Sequence, residues 1–183
     1  EQNFKLIQSI YSKSSINQLI VGGLLFLCIW INIDAIFSVL PEKFSHGKSV
    51  VLYIGLAQLF NVASGVNGSI IVNSRYYRYD LITNILLVLL TIVSNYFLIK
   101  KYGIDGAAMA TAFSVFLFNL SRLFLIKIKM GLHPFSIKTL YTILILLAIY
   151  VISTYLPLSG NLYFDVLWKT FFVLIVFIPI LLI

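Results

Sequence analysis

The sequence predicts an all-α fold: a polytopic membrane bundle of about six transmembrane helices. Three observations carry that expectation. Hydrophobic residues make up 61% of the 183 and charged residues only 10%, against about 45–50% and about 25% in soluble domains. The apolar runs approach the roughly 20 residues that a helix needs to cross a hydrocarbon core of about 30 Å. The basic residues collect between those runs, where they act as topology signals. A mean hydropathy of +1.03 excludes disorder, which needs low hydrophobicity and high net charge. A barrel is excluded because its strands would be shorter and would alternate apolar with polar residues. The single cysteine, Cys28, excludes a disulfide framework and any cysteine-cluster metal site. The net charge of +7 fits loop charge in a membrane protein, so no nucleic-acid partner is expected.

Residues 1–15 depart from the apolar trend. Phe4, Ile7, Ile10 and Tyr11 recur at threes and fours with Lys5, Gln8, Ser9 and Lys13 between them, the pattern of a short amphipathic helix at a membrane surface. Ser14 and Ser15 suit the cap of a following helix. The chain thus divides into an amphipathic segment, 1–15, and a six-span membrane domain, 16–183. Span one covers 16–40 and ends at Pro41. Span two, 49–73, is the most polar. The basic and aromatic segment 74–80 leads to span three, 81–99. The turn 100–105 precedes span four, 106–126. The loop 127–138 contains Gly131 and Pro134, both helix breakers. Span five, 139–156, stops at Pro157, and span six covers 165–183. The chain begins at Glu1 rather than at a methionine and stops inside an apolar run, so a segment of a longer protein is expected.

Charge sets the expected orientation. The N-terminus and the loops after spans two and four hold Lys5, Lys13, Arg75, Arg78, Arg122, Lys127, Lys129 and Lys138. The opposite side holds Lys43, Lys48, Lys100, Lys101 and Lys169. Positive loops stay in the cytoplasm, which predicts a cytoplasmic N-terminus and C-terminus. Tyr76, Tyr77 and Tyr79 on one side, and Tyr102, Tyr155, Tyr163 and Trp168 on the other, fit aromatic belts at the two interfaces.

Span two carries the main candidate residues. Gln58, Asn61, Gly65, Gly68 and Val72 follow one another at threes and fours, so they predict one helical stripe, with Ser64 and Asn67 beside it. An unpaired amide in hydrocarbon costs several kcal/mol, so the stripe faces protein or water. Two readings stand: amide glue between helices with glycines permitting close approach, or the wall of a hydrated substrate pathway. Gly65 and Gly68 also allow a bend. Asp34, near the outer end of span one, is either an interfacial acid that reaches water or an ion or proton site. Arg75 and Arg78, spaced three apart, are either anchors among phospholipid headgroups or phosphate contacts. Arg122, with Asn119 three residues before it, offers the same choice. His46 and His133 lack flanking ligands, so neither a metal nor a cofactor is expected. GxSxG, P-loop, HExxH and CxxC motifs are absent from the sequence, which argues against an enzyme.

The segment YGIDGAAMAT, residues 102–111, combines a tight-turn glycine, an N-cap aspartate and a small-residue stripe at Gly106, Ala110 and Ser114. In wording it resembles the YGI-x-GAA-x-A-T element of bacterial polysaccharide-biosynthesis membrane proteins. These are the oligosaccharide flippases of the multidrug/oligosaccharidyl-lipid/polysaccharide exporter superfamily. Residues 14–44, SSINQLIVGGLLFLCIWINIDAIFSVLPEKF, are similar to that family's first span after its central cytoplasmic linker. Residues 65–87, GVNGSIIVNSRYYRYDLITNILL, are similar to its next two spans. Lys100-Lys101 departs from the pattern, since relatives often carry a proline before the tyrosine.

The resemblance implies the C-terminal lobe of a two-lobe transporter in the bacterial inner membrane. Its N-terminal lobe would be another part of the same protein. The cargo would be a lipid-linked oligosaccharide, a polysaccharide or O-antigen precursor, moved by alternating access among membrane lipids. It assigns no binding residue here, because the family's pyrophosphate-gripping cations lie largely in the other lobe. The alternatives are a drug/cation antiporter of the same superfamily, with Asp34 as coupling acid, and a membrane-embedded enzyme of polysaccharide assembly.

Overall fold

The structure, a computed structural model, describes residues 2–44, 47–156 and 160–181; His46 and Pro157 lie outside the described residues. Those residues are helical apart from short turns, with no strand among them. Their elements are α1 (Gln2–Ile31), α2 (Ile33–Val39), a 3-10 turn (Glu42–Phe44), α3 (Gly47–Ala63), α4 (Asn67–Val72), α5 (Arg78–Met130), α6 (Ile137–Thr154) and α7 (Leu162–Leu181).

α1 is continuous through Ser14 and Ser15, so neither serine caps a helix. The amphipathic segment is the first part of the first long helix. Its buried stripe is Tyr11, Ser15, Leu19, Gly23 and Leu27, one residue every turn. Phe4, Ile7 and Ile10 stay exposed. Gly22 and Gly23 admit two neighbours. A Cβ on Gly22 would sit 2.8 Å from Val62 of α3, and one on Gly23 would sit 2.5 Å from Leu146 of α6. The helix breaks at Asn32, whose Nδ2 donates to the Cys28 carbonyl at 2.8 Å and to Thr170 Oγ1 at 3.0 Å. α2 stops before Pro41, with Leu40 extended at ψ 149°, as a residue preceding proline prefers.

Span two is two helices. Gly65, at φ +63°, turns the chain between α3 and α4. A Cβ there would lie 3.2 Å from the Ser15 backbone. Ser15 in turn donates its hydroxyl to the Ala63 carbonyl, satisfying an acceptor that the broken helix leaves open.

α5 is a hairpin rather than a rod. It reverses at Gly103 (φ 58°, ψ −129°), a conformation that favours glycine. The limbs 78–102 and 104–130 then run antiparallel, joined by a 3.1 Å Ser94–Ser114 hydroxyl contact. Gly106 lies so close to the first limb that a Cβ would overlap the Leu98 carbonyl oxygen. Asp105, expected as an N-cap, accepts the Ser49 hydroxyl of α3 instead. α6 begins after Ser136, whose N–H donates to Thr139 Oγ1 at 3.1 Å.

Two apolar clusters hold the bundle. Tyr11, Ile71, Ile126 and Leu132 meet at the end that carries the α1 N-terminus, here called the inner end. Leu27, Ile149, Val173 and Phe177 join α1, α6 and α7. The surface is apolar too: Leu81, Ile82, Ile85, Val88, Leu89, Ile92, Val93, Tyr96 and Phe97 of the first α5 limb are all exposed. A contiguous exposed apolar face of this size suits acyl chains rather than water. Among the described residues, three helices are long and apolar enough to cross a membrane: Phe4–Ile31, Arg78–Met130 and Ile137–Thr154.

Candidate substrate-pathway site

The predicted polar stripe of span two is split by the Gly65 break. Gln58 and Asn61, on α3, are exposed on an open face, and Asn61 Nδ2 donates to Gln58 Oε1 at 3.2 Å. Ser64 and Asn67 turn inward and are buried. Ser64 Oγ donates to the Phe60 carbonyl at 2.8 Å. Asn67 Nδ2 donates to Asn119 Oδ1 at 3.1 Å across to α5. A single stripe at threes and fours requires an unbroken helix, and the turn at residues 64–66 resets its phase. Gln58 and Asn61 therefore stand alone on the open face, and Asn67 is interhelical glue.

Below Asn67 lies a charged knot. Arg122 pairs with Asp80 across the α5 hairpin, their side chains 13% and 20% exposed. The Arg122 guanidinium carbon stands 4.1 Å from the Phe118 ring centroid, and a Cβ on Gly68 would reach its Nη1 at 2.9 Å. Asp80 Oδ2 also accepts from Asn84 at 2.9 Å. Arg122 Nε is buried and lacks a hydrogen-bond acceptor. The guanidinium weighed as a headgroup anchor or a phosphate contact thus pairs with a carboxylate inside the bundle. Sequence reasoning missed Asp80, although it is the one acid between Lys5 and Lys138 on the basic side.

Arg75 and Arg78 are exposed. Each is steadied by the adjacent tyrosine, Arg75 Nη2 donating to Tyr76 OH at 2.7 Å and Arg78 Nε to Tyr77 OH at 3.4 Å. Asp34 pairs with Lys48 and is 84% exposed, so it does not sit buried among helices. Gln8, one of the polar residues between the apolar positions of the 1–15 segment, binds the peptide of His133 in both directions, accepting at 3.0 Å and donating at 2.6 Å. No sequence spacing signals that contact, because it joins residues 125 apart.

α3 divides two unlike spaces. On the side opposite Gln58 and Asn61 is an apolar groove of about 550 Å³, bounded on α3 by Leu52, Leu56 and Ala63 and closed by residues of α1 and α6. On the open face, at the outer end, a cavity of about 660 Å³ is walled by Phe37, Phe44, Tyr102 and Asp105 together with Gly47, Val50 and Val51 of α3. Among the described residues no cluster of three or more His, Cys, Asp or Glu is placed to hold a metal ion.

Comparison with family models, with curated proteins and with solved structures returned no match.

Proposed function

We propose that this chain is one lobe of an alternating-access transporter that moves a lipid-linked oligosaccharide across the bacterial inner membrane, without bond chemistry of its own. The observation that carries the reading is the two-sidedness of α3. A polar, open face with Gln58 and Asn61 backs directly onto an apolar groove, which is the division an amphiphile with a polar head and an apolar tail requires. The exposed amides need a partner surface or water, since lipid would leave them unsatisfied, and a second lobe facing α3 supplies both. The wording of residues 102–111 favours the same family. In this reading the membrane is crossed six times, by α1, by α3 with α4, by each limb of α5, by α6 and by α7, with both termini cytoplasmic.

Cysteine replacement in the full-length protein tests it. In a Cys28→Ser background, Asn61→Cys is expected to react with a water-soluble thiol reagent in intact cells, and Leu56→Cys, in the apolar groove, is expected to resist. Labelling at 56 with protection at 61 overturns the pathway.

A further inference from the structure

The cavity at the outer end differs chemically from the groove behind α3. Three aromatic side chains, Phe37, Phe44 and Tyr102, share it with one carboxylate, Asp105. We propose that it is a sugar-docking subsite, in which the apolar C–H face of a neutral sugar ring lies on the aromatic rings and a hydroxyl donates to Asp105. This rests on the reading of the chain as an oligosaccharide carrier and places the polar head at one end of the pathway.

Its construction supports that use. The Phe37 ring is seated against Gly47, where a Cβ would come within 2.9 Å of it, so the glycine makes room for the ring. Asp105 is fixed by the Ser49 hydroxyl, and a carboxylate retains further acceptor sites for a ligand hydroxyl. The cavity lies in the size range of small-molecule sites, about 300–1,000 Å³, that combine apolar walls with a few placed polar groups. It is also in line with the amides. Gly47, Val51, Ile54, Gln58 and Asn61 follow at fours and threes within unbroken α3, so one helix face leads from the cavity to Gln58, about 16 Å away at 1.5 Å per residue.

Aromatic rings with a carboxylate also suit an organic cation, but the rim is already cationic. Lys101 Nζ stands 5.1 Å from the Tyr102 ring centroid. That charge repels a second cation and leaves a neutral polyol undisturbed. An acyl chain has no use for Asp105, and the all-apolar groove behind α3 serves it better.

The test uses the full-length protein in proteoliposomes, carrying Cys28→Ser and Val51→Cys as a reporter on the cavity wall. Labelling by a membrane-impermeant maleimide is measured with lactose, maltose or chitobiose, and with tetraethylammonium. At least one disaccharide is expected to slow labelling about tenfold at saturation, a factor of ten corresponding to about 1.4 kcal/mol. Phe37→Leu, Tyr102→Leu and Asp105→Asn are each expected to abolish that protection, measured as the ratio of each variant's labelling rates with and without sugar. Protection by tetraethylammonium alone, or by nothing, overturns the subsite. Translocation of a polyprenyl-pyrophosphate-linked oligosaccharide is followed in the same vesicles. Protection without translocation upholds the subsite and removes the flippase reading, whereas translocation without protection does the reverse.

Discussion

Arg122 brings a full charge into the inner third of the bundle, and three neighbours make that tolerable: Asp80 neutralises it, Phe118 stacks on it and Gly68 leaves it room. Removing one partner of a buried pair strands the other charge. Asp80→Asn is therefore expected to lower stability by about 3 kcal/mol, read as a fall in melting temperature of the detergent-solubilised protein. Adding Arg122→Gln is expected to recover part of the loss, because the double variant strands nothing; a double-variant loss equal to the sum of the two single losses would show that the two side chains act independently. Asp34 presents the contrasting case. It is exposed and paired only with Lys48, and exposed ion pairs contribute about 0–1 kcal/mol. Under the proposed transport function, Asp34→Asn is expected to leave both stability and export of the lipid-linked oligosaccharide unchanged, whereas loss of drug efflux with intact export would favour the antiporter.

At the level of elements, the α5 hairpin depends on the absence of one methyl group. A Cβ on Gly106 would overlap the Leu98 carbonyl, which is backbone and cannot rotate away. Gly106→Ala is expected to cost about 1–3 kcal/mol and to separate the limbs, seen as loss of a cross-link between cysteines placed at 94 and 114. The turn after residue 99, the end of span one before Pro41 and the small-residue stripe of 106–114 were all legible in the sequence, because glycine, proline and residue size act locally. The break at Asn32 was not. Asn32 bonds to Thr170, 138 residues away, and an asparagine in an apolar run carries no mark of its partner. The division of the span-two stripe was likewise hidden. Gly65 was visible as a bend, but only its positive φ, packed against Ser15, determines that Asn67 turns inward while Asn61 does not.

On the scale of the whole molecule, the two ends of the bundle differ in charge. Lys5, Lys13, Lys127, Lys129 and Lys138 are exposed toward the inner end, and Lys100 and Lys101 toward the outer. Given the bias of basic loops toward the cytoplasm, a membrane-impermeant amine reagent added to intact spheroplasts is expected to modify Lys100 and Lys101 and to spare Lys127 and Lys129. The opposite pattern would invert the orientation. Exposed Tyr77 and Tyr79 at one end, and Tyr102, Tyr155 and Tyr163 at the other, mark the same two levels. The hairpin of 78–130 also bears on how such a molecule is made. Its limbs are joined by contacts only 20 and 42 residues apart in sequence, and its second limb binds α3 through Asp105 and α4 through Asn119. A pair joined so locally closes on elements that precede it in the chain. α6 and α7 then assemble on α1, and the interior near Tyr11 is completed only when Leu132 emerges behind the pair.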